Sequence, residues 1–180
     1  MTLVNAAENK TEYPQIKELY IGSFPSEERA PFRMLCKSAE RGRADFWSLN
    51  EDGAWAGMAY VLCHEDLAYL FYLAVDGSQR GKGLGHKAIA ALLEQYAGCR
   101  FFLALEQLDE SAENYPERLR RHQFYRSCGL VELPYHIKEA SVVYDIMGSG
   151  GTVEPPEYAA LIDRYMGPLR RHLIGMRILK

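Results

Sequence analysis

The apolar positions change their period several times along the chain, and each change predicts an element. Ile16, Leu19 and Tyr20 recur at helical spacing, and Pro25 and Pro31 punctuate the segment after them. A second helix is predicted from near Glu28 to Gly42, a glycine suited to a left-handed C-terminal cap. Residues 46–49 and 55–63 are β in character and flank Asn50-Glu51-Asp52-Gly53, a hairpin-type turn. After His64-Glu65-Asp66, residues 67–75 run apolar and aromatic without a break, which predicts a strand covered on both faces. A glycine-rich segment then leads into a helix marked by Ile89, Leu92, Leu93 and Tyr96 and stopped by Gly98. Residues 101–105 make a further short strand. Strand, loop, helix, strand is a βαβ unit, so its two strands are predicted to be parallel neighbours. An acidic loop at residues 109–113 precedes a helix with Pro116 in its first turn, ending at Gly129. Residues 130–137 and 142–147 predict an antiparallel pair. Gly148-Ser149-Gly150-Gly151 breaks the chain, and beyond Pro155-Pro156 a basic, helix-like tail runs from Glu157 through His172.

Composition narrows the class. A chain of 180 residues with 48% hydrophobic and 25% charged residues is an ordinary globular domain, not a disordered chain, a collagen-like repeat or a disulfide miniprotein. The net charge of −3 predicts no bulk attraction to nucleic acid or membrane. The longest apolar run falls far short of the roughly 20 residues of a membrane helix. The N-terminal residues lack the basic and apolar regions of a secretory signal, so the expected location is the cytoplasm. Cys36, Cys63, Cys99 and Cys128 form no C-x-x-C pair and no zinc spacing, which predicts reduced, mostly buried thiols and no metal. Arg164, Arg170, Arg171, Arg177 and Lys180 make the tail basic, and it is a candidate dimer element.

Candidate chemistry concentrates in Arg80-Gly81-Lys82-Gly83-Leu84-Gly85. Glycines at alternate positions let the backbone turn tightly and aim several N–H groups one way. A helix start follows, where unpaired N–H groups and the macrodipole favour an anion, and Arg80 and Lys82 add positive charge. The pattern predicts a phosphate cradle. It is not a mononucleotide P-loop, because Lys82 is followed by Gly83 and not by a hydroxyl residue. Gly83, Gly85 and Ala88 do satisfy the dinucleotide pattern G-x-G-x-x-A, and Glu106 lies near where a ribose-binding acid would stand. Against that reading, residues 76–82 separate the strand from the first of these glycines.

The same segment resembles the acyl-CoA signature of the GCN5-related N-acetyltransferase (GNAT) superfamily, written [RQ]-x-x-G-x-[GA]. The order of predicted elements is similar to that family's over residues 1–147, including the Tyr-x-x-x-Gly segment Tyr125-Arg126-Ser127-Cys128-Gly129. The resemblance implies a mixed α/β (α+β) fold: a central mixed sheet with an antiparallel N-terminal meander, one parallel βαβ unit and a C-terminal hairpin. It implies an acetyltransferase domain over residues 1–147, with residues 148–180 as linker and tail. It implies acetyl-CoA as cosubstrate, bound by main-chain groups around Leu73 and Val75 and by Arg80, Gly81, Lys82, Gly83, Leu84, Gly85 and His86.

The implied reaction is acetyl transfer to a primary amine of a small molecule or peptide, by direct attack. Glu106 is the first candidate for the base and Glu28 the second, while Tyr125 would protonate the departing thiolate. Where many members carry Asn and Ala earlier in the tyrosine's helix, this chain has Arg118 and Arg121. Those arginines share a helix face with Tyr125. His64, His122, His136 and His172 form no triad or metal spacing and receive no role. Acidic residues at Glu27-Glu28 and 109–113 lean toward a cationic acceptor. Two alternatives stay open, a dinucleotide-dependent oxidoreductase and a non-catalytic CoA-binding sensor.

Overall fold

In the computed structural model, which describes residues 1–26, 28–79, 81–139, 141–167 and 177–179, the hydrophobic pattern produces its elements with few changes. The strands are β1 (Thr2–Asn5), β2 (Ala44–Glu51), β3 (Ala54–His64), β4 (Leu67–Val75), β5 (Arg100–Glu106), β6 (Val131–Glu139), β7 (Val142–Ser149) and β8 (Arg177–Leu179). The helices are α1 (Tyr13–Ser23), α2 (Phe32–Glu40), α3 (Leu84–Gln95), α4 (Tyr115–Ser127) and α5 (Pro155–Met166). The strands form an eight-stranded sheet in the order β1-β2-β3-β4-β5-β7-β6-β8. β4 and β5 are parallel, as the βαβ pattern predicts, and β6 and β7 are antiparallel. β2 and β3 meet at Asp52 (φ 53°) and Gly53 (φ 78°), two consecutive left-handed residues of the kind a tight hairpin demands.

The differences have local causes. α2 begins at Phe32, not near Glu28, because Pro31 is its N-cap residue with an extended ψ of 123°. A proline also drives the residue before it away from helical backbone. β1 is too short to announce itself, yet it pairs antiparallel with β2 from Thr2↔Asn50 to Asn5↔Trp47. α5 starts at Pro155, where Glu154 and Glu157 form a reciprocal capping box, and ends at Gly167 (φ 86°). Residues 168–172 of the expected tail helix lie outside the described residues. β8 returns to the sheet beside β6, in register His136↔Leu179. Cys36, Cys63, Cys99 and Cys128 are free thiols, half-buried where mostly buried ones were expected.

The chain divides into two compact units, the first comprising Met1–Cys63 and Leu70–Ala97, the second His64–Tyr69 and Gly98–Lys180. The first is built around aromatic side chains. Tyr20, Phe46 and Tyr60 are fully buried, and Tyr72 lies edge-on to Tyr20 at 5.0 Å and to Phe24 at 4.8 Å. Their hydroxyls act as fasteners. Tyr60 donates to the Leu35 carbonyl at 3.1 Å and Tyr20 to that of Ala30 at 2.9 Å. Tyr72 donates to the Glu28 carbonyl at 2.7 Å and accepts from the Ala30 N–H at 3.1 Å. The Tyr72 bonds tie the proline-rich connection between α1 and α2 to β4, satisfying loop backbone that neither helix nor sheet serves.

The second unit relies more on charge. Tyr69 stacks on Phe102 at 4.8 Å, with Tyr158 of α5 against both rings. Beside this stack, Arg100 donates two bonds to Asp66, both 2.7 Å, and two to Glu157 at 2.7 and 2.8 Å. The same guanidinium holds the Asp66 and Glu157 carboxyls below the ordinary carboxylate range. At the expected break after β7, a Cβ on Gly150 would stand 2.7 Å from the Cys99 carbonyl, so only glycine passes there.

Candidate functional site

In the first unit the predicted loop leads from β4 into α3. Asp76 accepts from Ser78 N–H at 3.0 Å, closing a tight turn, and a single 3-10 turn covers Gly77–Gln79. Gly81 (φ 82°) and Gly83 (φ 69°) are both left-handed, a conformation open to glycine at little cost. Gly83 is the N-cap of α3 and supplies no side-chain cap to the helix's first N–H groups. Gly81, Lys82, Gly83 and His86 are exposed, Gly85 is half-buried, and Leu84 is buried at 4% exposure, anchoring the turn. Arg80, expected as a ligand, lies outside the described residues. Leu73 and Val75 are half-buried near the end of β4.

Both ends of α3 are fixed. Lys87 in its first turns pairs with Glu51 of β2. After its last turn, the Tyr96 hydroxyl donates to Asp45 at 2.7 Å and accepts from Trp47 Nε1 at 2.8 Å. β3 passes so close to the end of β4 that a Cβ on Gly57 would lie 2.3 Å from the Ala74 carbonyl and 3.0 Å from Val75 Cα. Tight backbone contact therefore sets the position of the β4 main chain.

In the second unit, the β4–β5 ladder runs from Leu67↔Arg100 to Tyr69↔Phe102, whereas β5 continues to Glu106. Glu106 is not a lone strand-end acid. Its Oε1 lies 3.0 Å from Arg118 Nη2, its Oε2 accepts from Arg121, and Asn114 Nδ2 stands 3.4 and 3.3 Å from the two oxygens. Arg118 also donates to Asn114 Oδ1 at 2.7 Å and to the Gln107 carbonyl at 2.8 Å. The shared face of Arg118 and Arg121 is thus directed at an acid of the same unit and fixes it in place. Glu28 stands in the first unit's α1–α2 connection, exposed, with its carbonyl held by Tyr72.

Tyr125 sits in the last turn of α4, half-buried, its ring 4.9 Å from that of Phe124. Its hydroxyl makes no hydrogen bond among the described residues. Burial pushes its pKa up to about 12, with Arg121 pulling it down and Cys128 pushing it up. Gly129 (φ 88°) then turns the chain, Leu130 N–H bonds the Tyr125 carbonyl at 3.2 Å, and Leu130 is buried at 2% exposure. The Gly129-Leu130 pair is what sets the end of this helix.

Sequence reasoning passed over one cluster in the second unit. His136 and Asp145 are register partners on β6 and β7, with Nδ1 2.7 Å from Oδ1. His122 of α4 is fully buried, its Nε2 3.1 Å from the Glu106 carbonyl and 3.8 Å from Asp145 Oδ2. Nine positions separate His136 from Asp145, a spacing that carries chemistry only through the register of the predicted β6–β7 hairpin. Among the described residues no group of three or more His, Cys, Asp or Glu stands in a metal-holding arrangement. No helix among them is long and apolar enough to cross a membrane.

Comparison with known proteins identifies the family and the fold. Residues 13–130 match the family profile described as "Acetyltransferase (GNAT) family". Among solved structures, a GNAT-family protein from Bacteroides thetaiotaomicron superposes with a TM-score of 0.73 at 20% identity, covering 98% of each chain. An aminoglycoside 6'-N-acetyltransferase complexed with coenzyme A gives 0.63 at 14% identity, over 83% of this chain and 96% of that one. The ribosomal-protein-S18-alanine N-acetyltransferase from Escherichia coli gives 0.61 at 19% identity, over 85% and 95%. These likenesses show a common fold. No match was found among the curated proteins.

Proposed function

The chain belongs to the acetyltransferase (GNAT) family, making it an acyltransferase, and from that premise we propose an N-acetyltransferase that moves acetyl from acetyl-CoA to a primary amine. The observation that carries the proposal is the start of α3. Two left-handed glycines lead into the helix, no N-cap side chain bonds its first N–H groups, and Lys82 stands between the glycines. A diphosphate is the ligand chemistry that fits such donors. The dinucleotide alternative also needs a phosphate site, but its first glycine should leave the strand directly; here a 3-10 turn and Gly81 come between.

Acetyl-CoA supplies an activated acetyl thioester, and the chain's residues do the rest. Arg80, Gly81, Lys82, Gly83, Leu84, Gly85 and His86 hold the diphosphate. Main chain around Leu73 and Val75 pairs with the pantetheine, and one of its N–H groups polarises the thioester carbonyl. An acceptor amine is mostly an ammonium at neutral pH and must lose a proton before it attacks. Glu106, held in one orientation by Arg118 and Arg121, helps remove it, with Glu28 the second carboxylate. Tyr125 delivers a proton to the leaving thiolate; its phenol stays protonated at neutral pH and its hydroxyl is committed to no other described group. The acidic residues at 28 and 109–113 favour a cationic acceptor, and an aminoglycoside, the acceptor named for one structural neighbour, is of that kind; another neighbour is named for an alanine of ribosomal protein S18.

Thiol release from acetyl-CoA is the test, measured with a polyamine, an aminoglycoside and a peptide with a free N-terminus. Amine-dependent release is expected with at least one. A chain that binds acetyl-CoA and releases thiol with none is the CoA-binding sensor instead. Tighter binding of NAD or NADP than of acetyl-CoA would restore the oxidoreductase.

A further inference from the structure

Asp145 stands between Tyr144 and the fully buried Ile146 on β7 and is itself only 9% exposed. A carboxylate so enclosed needs donors, and the imidazoles beside it are those of His136 and His122. They are not equivalent. His122 is fully enclosed, and its Nε2 already faces the Glu106 carbonyl. The His136 side chain is 40% exposed, with Nδ1 turned to Asp145 at 2.7 Å and to Gln107 Nε2 at 3.5 Å. A carboxylate at Nδ1 favours the tautomer that carries its proton there, which leaves Nε2 as the basic nitrogen. The Asp145 Oδ1 contact is close but poorly aligned for a hydrogen bond, as such pairs often are before a ligand arrives.

The register sets this pair one strand position from Glu106, which itself pairs with Tyr144. Leu105 of β5 pairs with Asp145, Asp145 with His136, and His136 with Leu179 of β8, one row across four strands. Glu106 and Gln107 follow Leu105 directly. The groups facing His136 are Asp145 from β7, with His122 of α4 behind it, and the neutral Gln107 from the end of β5. From β8, Leu179 lies opposite, and Arg177 pairs with Lys138 farther along β6.

We propose that His136, oriented by Asp145, is the catalytic base of the acetyl transfer, receiving the acceptor's proton at Nε2. The inference rests on the acetyltransferase reading and sharpens it: Glu106 is already engaged by Arg118 and Arg121, and His136 takes the proton. The N–H bond breaks toward His136 and leaves its electron pair on nitrogen. That pair forms the bond to the acetyl carbon, and the C–S bond breaks with its electrons going to sulfur. Tyr125 protonates the thiolate and recovers its proton from the cationic nitrogen that the attack created, leaving the amide its single N–H. The imidazolium returns its proton to solvent, so each turnover of an ammonium acceptor releases one proton. Asp145 acts through His136 as a positioning residue.

The experiment is a pH–rate profile of thiol release, with the most active of the three amines, for the parent, His136→Gln and Asp145→Asn, alongside calorimetry with acetyl-CoA. For His136→Gln the expected fall in turnover is about 10²-fold at neutral pH, shrinking at high pH where the amine is already neutral, with acetyl-CoA affinity unchanged. Asp145→Asn, which leaves His136 in place, should alter the profile's pH dependence with a smaller loss. Added imidazole should restore part of the turnover of His136→Ala, a rescue that a merely structural histidine would not show. Parent-like profiles in both variants, or a lost acid-side limb in Glu106→Gln alone, overturn the assignment of His136 while leaving acetyl transfer intact. A parent that binds acetyl-CoA yet releases no thiol with any amine overturns acetyl transfer, and the His136 proposal with it.

Discussion

The two units of this chain solve different problems with different materials. The first positions backbone: tyrosine hydroxyls pin the α1–α2 connection, Gly57 lets β3 press against Ala74, and Gly81 and Gly83 open the start of α3. The second positions side chains. Arg100 gathers Asp66 and Glu157, Arg118 and Arg121 hold Glu106, and Asp145 holds His136. Backbone sites suit a ligand recognised by phosphate and amide groups, and side-chain sites suit proton transfer. On the proposed reading cosubstrate binding would fall to the first unit and acid–base work to the second, and substitutions in each should separate stability, binding and turnover accordingly.

The largest effect is expected where backbone meets backbone. Gly57→Val would drive its Cβ into the Ala74 carbonyl, and unfolding in urea should show a loss on the order of 3 kcal/mol. In the second unit, Tyr125→Phe should leave folding and acetyl-CoA affinity near the parent's while turnover falls about 10²-fold. Equal turnover where chemistry is rate-limiting would make Tyr125 a packing residue.

A smaller effect returns to the first unit. Tyr96→Phe removes the hydroxyl between Asp45 and Trp47 and should cost about 1–2 kcal/mol in thermal unfolding. Smallest is the acid limb of the second unit. Asp66 and Glu157 have lowered folded-state values, so their contribution is present above the ordinary carboxylate range and lost as pH falls through it. Arg100→Met should therefore flatten the fall in melting temperature below about pH 4. An unchanged acid slope would remove Arg100 from that role.

The same contrast explains what the sequence disclosed. β4 appears as the unbroken apolar run 67–75, and its parallel partner follows from the intervening helix. The glycine spacing of 81–85 marks its own conformation, because left-handed backbone is a local property written in glycine. Thr2–Asn5 is a strand only because β2 offers an edge, so nothing in four residues announces it. Glu106 was visible as a strand-end acid, but not its grip by α4. Helical spacing puts Arg118 and Arg121 on one face without saying what that face meets. His136 and Asp145 become neighbours through hairpin register, which shifts between Glu132 and His136, where Pro134 cannot donate to the ladder.

Calorimetric titration of acetyl-CoA into the parent and into Gly83→Val tests the central claim most directly. Gly83 has φ 69° and open space where a Cβ would stand, so valine strains the loop and fills the approach to its N–H groups without striking the folded chain. The account predicts saturable binding by the parent and none by a variant whose melting curve shows it folded. Parent-like affinity in folded Gly83→Val would contradict it.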